Sequence, residues 1–257
     1  MSKRIRQLGL FDANCMLGRI IAPKVGFPLS AGELLEVMDD FEIAEALVYH
    51  SLSKEYHPAF GNPALGRQIA QSRRLHGMWV VMPSAAGDFP AEKQLVETML
   101  AAGIKAARVF PHPDRHNFSL EDWCSAALLG SLESLSVPLF VDADQMDWDT
   151  AGRLCRNHPR LTVVLTSVGY RSNRFLYPLL EKLDNLHVEL SSYYGHRAIE
   201  ALCERFGARR LLFGSRLPYF SPGSAIGMLS YAGVGPAQRK LIAGDNLRNM
   251  LARVAGG

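Results

Sequence analysis

The segment Val163–Tyr170, VVLTSVGY, decides how this chain folds. A run of residues typical of β-strands ends at Thr166 and Ser167, and a glycine then interrupts the extended pattern. A second segment, RLLFGSRLPYF at 210–220, has the same form and turns polar as it reaches Arg216. Each segment predicts a short buried strand with polar side chains at its carboxyl end. Folds of alternating strands and helices place their ligand sites at that edge.

Six further apolar runs occur along the chain, and longer segments with the period of an amphipathic helix separate them. Ser30 and Glu33 have the spacing of a capping box at the start of one such segment, and Ser119 is the expected cap of another. The eight predicted strands are 5–13, 42–50, 77–83, 104–111, 137–143, 161–167, 186–192 and 209–215. The predicted helices are 30–41, 62–75, 91–103, 119–135, 148–157, 174–183, 196–207 and 235–254.

Eight strand–helix units in 257 residues predict an α/β fold, a (β/α)8 TIM barrel that forms a single domain over residues 1–257. The alternative is a doubly wound open sheet, which usually has fewer units and often a glycine-rich first turn. No GxGxxG pattern follows the first predicted strand. The barrel is therefore the favoured architecture.

The composition, with 48% hydrophobic and 21% charged residues, is typical of a soluble globular protein. The formal net charge of +3 is spread along the chain, and its basic clusters are short, so nucleic acid is not an expected partner. The four cysteines lack paired spacing, which suits a reducing compartment. No secretory signal or membrane-spanning segment is evident, so we expect a cytoplasmic protein that does not engage membranes.

One apolar segment outside the predicted elements is AIGMLSYAGVG at 225–235. We interpret it as a loop that is available for a lid or for the interface of a homo-oligomer. The sequence does not decide between these two roles.

The carboxyl ends of the strands supply the candidate site residues, because alternate residues of each strand face the barrel interior. These candidates are Asp12, Asn14, Met16, Tyr49, His50, Arg108, His112, Asp142, Asp144, Thr166, Ser167, Glu189, Ser191 and Arg216. Cys15 should point away from the mouth by alternation and is not expected to act as a nucleophile. Tyr193 and Tyr194 follow the seventh strand and are expected to form a pocket wall.

Five segments form an ordered pattern along the chain: LFDANCMLG at 10–18, VPLFVDA at 137–143, HPRLTVVLTSVG at 158–169, ARRLLFGSRLP at 208–218 and AGDNLRNML at 243–251. Together they resemble the amidohydrolase superfamily, in particular the amidohydrolase-related TIM barrels that include decarboxylases and lactonases. The first segment is similar to the family's Asp-x-His-x-His-x-Gly, and the fourth to its Leu-Phe-Gly-Ser-Asp-x-Pro. The resemblance covers nearly the whole chain and implies a barrel that holds a divalent metal ion at its mouth.

The metal-ligand positions that this resemblance implies have all changed. The strand-one histidine pair, the strand-five and strand-six histidines and the strand-eight aspartate correspond to Asn14, Met16, Asp142, Ser167 and Arg216. A thioether and an amide are poor zinc ligands, and arginine has no lone pair to give. We therefore predict no metal ion and no other cofactor at the mouth. A loop HxxxH pattern at His112 and His116 is only a weak sign of a rebuilt metal site.

Arg216 needs an acidic partner if it is buried in the mouth, because an uncompensated buried charge costs several kcal/mol. The candidate partners are Asp142, Asp12 and Glu189. In one interpretation, Arg216 and an acid form a structural tie across the barrel. In the other, the guanidinium holds a carboxylate or phosphate of a ligand, with Arg108 as a second cation.

Asp142 and Arg216 are the predicted catalytic residues, and Asp144, His112 and His50 are alternatives for a base. A carboxylate beside an arginine has a lowered pKa, which suits Asp142 to electrostatic work better than to proton abstraction. The predicted substrate-binding residues are Asn14, Arg108, His112, Ser167, Glu189 and Tyr193. Asp12 is expected to be a buried acid that is hydrogen-bonded to the backbone or to an arginine.

Polar groups from several strands predict a small ligand, and the arginines predict that it is anionic. One hypothesis is a metal-independent hydrolase-like or lyase-like enzyme that acts on a small carboxylated molecule. The alternative is a catalytically inactive descendant that serves as a binding or regulatory protein, and a third is a hydrolase with a loosely bound metal. A deep polar pocket would favour function, whereas a mouth plugged by Met16, Phe110 and Tyr194 would favour its loss.

Overall fold

Parallel strands form the centre of the structure, a computed structural model that describes residues 8–20 and 27–255. The strands are β1 (Leu10–Leu17), β2 (Ile43–His50), β3 (Leu75–Gly77), β4 (Trp79–Val80), β5 (Ala107–Val109), β6 (Leu139–Asp142), β7 (Val163–Thr166), β8 (Leu186–Glu189) and β9 (Leu211–Leu212). Only Met78 separates β3 from β4, and the two together take the place of the third predicted strand. Every predicted strand is present, although residues 5–7 of the first lie outside the described residues.

The strands pair in parallel and in chain order, β1 to β3 in one sheet and β4 to β9 in a second. Backbone hydrogen bonds join the two sheets at both seams. The Met78 N–H donates to the Val48 carbonyl at 2.8 Å, and the Met16 N–H donates to the Leu217 carbonyl at 2.9 Å. This arrangement, with helices between successive strands, confirms the predicted TIM barrel.

Helices follow the strands around the barrel. They are α1 (Ala31–Asp40), α2 (Ser51–Glu55), α3 (Pro58–Ile69), α4 (Glu92–Ala101), α5 (Asp122–Ser134), α6 (Trp148–Asn157), α7 (Asn173–Lys182), α8 (Ala198–Phe206), α9 (Pro222–Tyr231), α10 (Pro236–Lys240) and α11 (Asn246–Ala252). The predicted capping box at Ser30 and Glu33 opens α1. Within the described residues, no helix combines the length and the apolar character needed to cross a bilayer.

The largest correction to the sequence prediction is α9, which occupies most of the segment 225–235 that we expected to be a loop. Its residues Ala225, Ile226 and Leu229 are buried against the core. The prediction missed it because glycine and serine in the segment have low helix propensity, and tertiary packing outweighs that propensity.

Two smaller corrections concern helix starts. Helix α5 begins after Glu121 rather than at Ser119, whose hydroxyl accepts a hydrogen bond from the Glu121 N–H at 3.2 Å. Helix α3 begins earlier than predicted, at Pro58, with the His57 side chain as its cap. Proline at the first helical position needs no hydrogen bond from its nitrogen, which explains the earlier start.

Side-chain alternation along the strands places the polar residues at the mouth. Phe140 and Val164 belong to the apolar cluster inside the barrel, whereas their chain neighbours pack outward against the helices. The inward row continues towards the carboxyl ends of β5, β6 and β7 as Arg108, Asp142 and Thr166, all of which are buried. The cluster that faces the helices includes Cys15, as its predicted orientation requires.

Candidate active site at the barrel mouth

The inward-facing polar residues at the carboxyl ends of the strands form a polar layer. The guanidinium of Arg108 lies at the centre of this layer. Its side chain is 1% exposed. One terminal nitrogen donates to Asp142 Oδ1 at 2.7 Å and to Thr166 Oγ1 at 3.1 Å, and the other donates to Asn14 Oδ1 at 3.1 Å. The Tyr49 ring covers the guanidinium, with its centroid 4.5 Å from the central carbon. The buried charge is thus compensated by a carboxylate, by dipoles and by an aromatic face.

The polar layer continues from Asn14 to Glu189 on β8. Asn14 Nδ2 donates to Glu189 Oε2 at 2.9 Å, and the Ser191 N–H and hydroxyl donate to the two carboxylate oxygens. Gly214 gives this carboxylate its space, because a Cβ at Gly214 would lie 2.2 Å from Glu189 Oε1. Side chains from β8, β1, β5, β6 and β7 therefore form one continuous hydrogen-bonded layer.

The carboxyl group of Glu189 is the one acid of this layer that titrates near neutrality. Burial raises its pKa to about 7, and the nearby Asp12 acts in the same direction. Hydrogen bonds from Asn14 and Ser191 oppose this rise but do not cancel it. Glu189 can therefore exchange a proton in the physiological range, although its side chain is fully buried.

Asp142 has the opposite shift. Burial alone would raise its pKa, but the Arg108 guanidinium holds the pKa well below its usual range. Hydrogen bonds from the hydroxyl groups of Thr166 and Ser167 to Asp142 Oδ1 add to this effect. Asp142 is consequently an ionised carboxylate and a weak base, in line with the role that the sequence predicted for it.

Asp12 is a buried acid below this layer. Its Oδ1 accepts hydrogen bonds from the backbone N–H groups of Asn14 at 3.0 Å and Ser215 at 2.9 Å. Burial raises its pKa. The expectation of a buried acid bound to the backbone is confirmed, and Asp12 links the ends of β1 and β9.

The two strand ends that opened the sequence analysis share an unusual backbone. Ser167 has φ +58° and Arg216 has φ +61°, both in the left-handed region that residues other than glycine seldom adopt. Such strain persists only where the surrounding structure enforces it, and it is concentrated at functional sites. At Ser167 the conformation directs the hydroxyl to Asp142 Oδ1 at 2.9 Å.

No acid among the described residues pairs with Arg216, and the prediction that it pairs with Asp142, Asp12 or Glu189 is wrong. Its guanidinium is partly exposed and lies over the rings of Tyr219 at 5.8 Å and Phe220 at 5.5 Å.

Arg108 takes the place beside Asp142 that we expected for Arg216, because Arg108 belongs to an inward-facing row of β5. The sequence predicted that Arg108 contacts a ligand directly. In this arrangement it cannot, because Arg108 is buried and its guanidinium already donates hydrogen bonds within the polar layer.

A partly exposed lysine, Lys54 on α2, lies above the buried layer. Its ammonium lies 5.3 Å from the ring centroid of Phe110 and 5.6 Å from that of Tyr219. Burial lowers the pKa of Lys54 to about 8. The Asp142 carboxylate opposes this shift, and nearby guanidinium groups favour it; these are Arg108, Arg115 and Arg216. Four cationic groups thus lie at the mouth, where the acids are Asp142 and Glu55, the second of which acts on Tyr219.

Other predicted site residues lie away from this layer. His112 borders an outer cleft of 660 Å³ between the loops that follow β4, β5 and β6, and its Nδ1 accepts from the Asp114 N–H at 3.2 Å. Tyr193 is buried in the helix-facing core, where its hydroxyl donates to Asn173 Oδ1. Asp144 is exposed.

His50, an alternative base, caps α2 by accepting the Leu52 N–H at 3.1 Å. These placements correct the predicted grouping of His112 and Tyr193 with Asp142. Both residues lie in loops beyond the strand ends, where strand alternation no longer fixes the direction of a side chain.

The family of the chain follows from its sequence as well as its fold. The amidohydrolase family model matches residues 43–252, so the chain belongs to the amidohydrolase superfamily. No curated protein matches the chain in sequence.

Several solved structures share its fold at low sequence identity. The 2,6-dihydroxybenzoate decarboxylase from Rhizobium is 16% identical with a TM-score of 0.75, covering 95% of this chain and 98% of that one. The 5-carboxyvanillate decarboxylase from Sphingomonas paucimobilis is 14% identical with a TM-score of 0.71, covering 96% and 100%. A dihydroxybenzoic acid decarboxylase from Polaromonas, solved with bound manganese, is 14% identical with a TM-score of 0.73, covering 95% and 97%.

The residues of this chain do not fit a divalent metal ion at the mouth. The Arg108 guanidinium donates hydrogen bonds to side-chain oxygens of both Asn14 and Asp142. These two residues supply the side-chain oxygens that β1 and β6 could offer a metal ion at the substituted positions. The Met16 thioether is packed in the apolar interior cluster. Among residues 8–20 and 27–255, no group of three or more His, Cys, Asp or Glu side chains has an arrangement that could hold a metal ion.

Sequence reasoning missed Lys54 and Tyr219 as mouth residues. Lys54 lies beyond the end of β2, in a short helix that the prediction did not contain. The one available signal was SLSKEYH at 51–57, where a lysine follows a strand that ends in His50. Tyr219 was visible as an aromatic residue just after the eighth strand, but its contact with Lys54 joins residues far apart in the chain.

Proposed function

We propose that the barrel mouth binds a small carboxylated molecule and does so without a divalent metal ion. The observation that carries this proposal is the excess of positive charge around Asp142. Arg108 already neutralises that carboxylate, so Glu55 is the remaining acid that acts on the mouth beside three cations, Lys54, Arg115 and Arg216. Surplus cations among partly buried groups favour an anionic ligand.

The relatives of similar fold support the carboxylate as the anionic group. The 2,6-dihydroxybenzoate decarboxylase has been solved with 2,6-dihydroxybenzoate bound, and the neighbouring decarboxylases are named for aromatic carboxylic acids. For this chain, we propose that Arg216 holds the ligand carboxylate bidentately from the strand end. Ser167, also at a strand end, donates a hydrogen bond to Asp142 and is partly exposed, so its hydroxyl is the second group that we propose for contact with the ligand.

The reaction we propose is of hydrolase or lyase type. Asp142 would act electrostatically, because its negative charge can stabilise a cationic centre on the ligand while its basicity is low. Glu189 would hold a proton near neutral pH and exchange it with the ligand only if the layer rearranges, since the side chain is fully buried.

A second candidate is a binding or regulatory protein that has lost the reaction. Met16 and Phe110, two of the three residues expected to plug an inactive mouth, are buried there. The third, Tyr194, is 38% exposed and lies by an outer groove instead. The floor of the mouth is therefore filled, and a ligand would have to sit in the upper layer of Lys54 and Arg216.

Isothermal titration with 2,6-dihydroxybenzoate and with citrate, both in EDTA, tests this proposal. We expect binding in EDTA, and we expect Arg216→Ala to weaken it by about tenfold, equivalent to ~1.4 kcal/mol. Arg160→Ala is the matched control, because Arg160 precedes β7 at the opposite end of the barrel and is 82% exposed. Binding that requires added manganese, or that Arg216→Ala leaves unchanged, contradicts the proposal. Proton NMR of the ligand then separates turnover from binding.

A further inference from the structure

Lys54 differs from an ordinary surface lysine in the contacts of its amine. Its ammonium faces the rings of Phe110 and Tyr219, and no described residue offers it a carboxylate within ion-pair distance. Lys93 on α4 provides the contrast, since its side chain is 86% exposed and its amine lies 3.9 Å from Glu97. The amine of Lys54 thus lies against aromatic faces in the mouth and forms no direct ion pair with a described carboxylate.

The charged groups around Lys54 work against its protonated form. The positive charges of Arg108 on β5, Arg115 in the loop after β5 and Arg216 beyond β9 lower the pKa of Lys54. Asp142 is the acid that faces it from β6, and this carboxylate is shared with Arg108. Glu55 is its neighbour in α2. Lysines that are desolvated beside other cations are the ones that serve as nucleophiles towards carbonyl groups.

We propose that Lys54 is a nucleophilic amine that forms an imine with the aldehyde or ketone group of a small anionic ligand. This inference rests on the proposed function, because the surrounding cations must first hold the anionic part of that ligand. The amine nitrogen adds to the carbonyl carbon, and a proton moves from nitrogen to oxygen to give a carbinolamine. Loss of one water molecule then gives the carbon–nitrogen double bond, so no oxidant or reductant is needed.

The rest of the mouth suits the protonated imine. The cationic nitrogen would lie between two aromatic faces, which attract cations. Asp142, ionised and on the same side of the barrel, would stabilise that positive charge. An imine so placed withdraws electrons from the adjacent carbon, which is the chemistry that loss of carbon dioxide from a 3-oxo acid requires.

Trapping with pyruvate and sodium borohydride tests the proposal. Borohydride reduces an imine to a stable amine, so we expect a single adduct heavier than the protein by pyruvic acid less one oxygen atom. Peptide mapping should locate it at Lys54. The initial rate of labelling should rise about tenfold per pH unit below pH ~8 and level off above it, as the amine becomes neutral.

Two variants and one control make the result specific. Lys54→Arg keeps a positive charge and Lys54→Met keeps the aliphatic stem, and both should lower labelling by at least about tenfold. Lys93→Met should label like the wild type. The melting temperature of each variant verifies that it is folded, and if Lys54→Met fails to fold, Lys54→Arg alone decides the outcome.

The outcomes separate this inference from the proposed function. If 2,6-dihydroxybenzoate or citrate binds but Lys54 labels no faster than Lys93, the imine is overturned and the carboxylate site stands. If neither carboxylate binds and Lys54 labels no faster than Lys93, both proposals fail. Selective labelling of Lys54 that citrate suppresses supports both.

Discussion

At the scale of single residues, the Arg108–Asp142 pair determines whether the mouth can keep its charges. A buried ion pair contributes little net stability, because desolvation offsets the attraction between the charges. Its loss is costly for another reason: removal of Arg108 leaves the Asp142 carboxylate buried with hydroxyl donors alone. The pair therefore acts as a constraint on the polar layer more than as a source of stability.

We expect Arg108→Met to lower the free energy of unfolding by about 3 kcal/mol, because the variant strands a buried carboxylate. Urea denaturation at pH 7 measures the change. The double variant Arg108→Met/Asp142→Leu should recover most of the loss, since it removes both charges. Arg216→Ala, which breaks no ion pair, should change stability by less than about 1 kcal/mol. Equal losses in Arg108→Met and Arg216→Ala would show that Arg216 is the structural tie after all.

Glu189 gives the fold a pH dependence of its own. Its pKa is raised from 4.5 in the unfolded chain to about 7 in the folded protein. Between these values the folded state retains a proton that the unfolded state has released, so this contribution to stability falls as pH rises. Relative to the wild type, Glu189→Gln should gain roughly 3 kcal/mol of unfolding free energy from pH ~4.5 to pH ~7 and then level off.

The test compares the free energy of unfolding of Glu189→Gln with that of the wild type at each pH. The wild-type curve alone does not suffice. His116 and His187 have pKa values lowered to about 4, so their contributions rise with pH in part of the same range. They are present in both proteins and cancel in the difference. A flat difference between Glu189→Gln and the wild type across this range contradicts a titrating, buried Glu189.

The residues of the site could be predicted from the sequence, but the contacts between them could not. Asn14, Asp142 and Glu189 are recognisable because they are polar residues at the ends of apolar strands. Whether Arg108 or Arg216 meets Asp142 depends on a contact between strands far apart in the chain. Such a contact leaves no local pattern, which is why the sequence favoured the wrong arginine.

At the scale of elements, the ends of β7 and β9 are shaped by the same backbone conformation. A residue other than glycine in the left-handed conformation lowers the stability of the folded state by about 1 kcal/mol. Replacement by glycine removes this strain, but it also makes the unfolded chain more flexible, which offsets part of the gain. We expect Arg216→Gly to be more stable than Arg216→Ala by about 0.5–1 kcal/mol. Thermal unfolding of both variants measures this, and both lack the ring contacts of the guanidinium. An alanine variant of equal or greater stability would contradict strain at this position.

The elements themselves were largely predictable because the barrel repeats one simple pattern. Helix α6 has the predicted bounds, since its apolar positions recur at helical spacing between clear breaks. The residues of β7 were predicted for the related reason that a strand buried on both faces is a short, nearly continuous apolar run. Helix α9 was missed because its buried face is visible only once the barrel is there to cover it.

At the scale of the whole molecule, the barrel supports two layers at its mouth. The lower layer is a buried hydrogen-bonded network across five strands, centred on Arg108. The upper layer consists of partly exposed groups, among them Lys54, Ser167, Arg216 and Tyr219. The fold of the amidohydrolase superfamily is thus retained, while the Arg108 guanidinium engages Asn14 and Asp142, two of the positions where the sequence resemblance implies metal ligands.

This replacement predicts how the protein responds to metals. A metal ion that binds the folded state raises its melting temperature by mass action. Because the Arg108 guanidinium engages Asn14 and Asp142, we expect neither EDTA nor added Mn²⁺ or Zn²⁺ to shift the melting temperature measurably. Elemental analysis after dialysis should find far less than one ion per chain. Asp142→Asn distinguishes the sources of any residual metal: ions on surface histidines persist in this variant, whereas a mouth-bound ion is lost. Near-stoichiometric metal that disappears with Asp142→Asn would mean that the mouth is a metal site and that Arg108 does not exclude the ion.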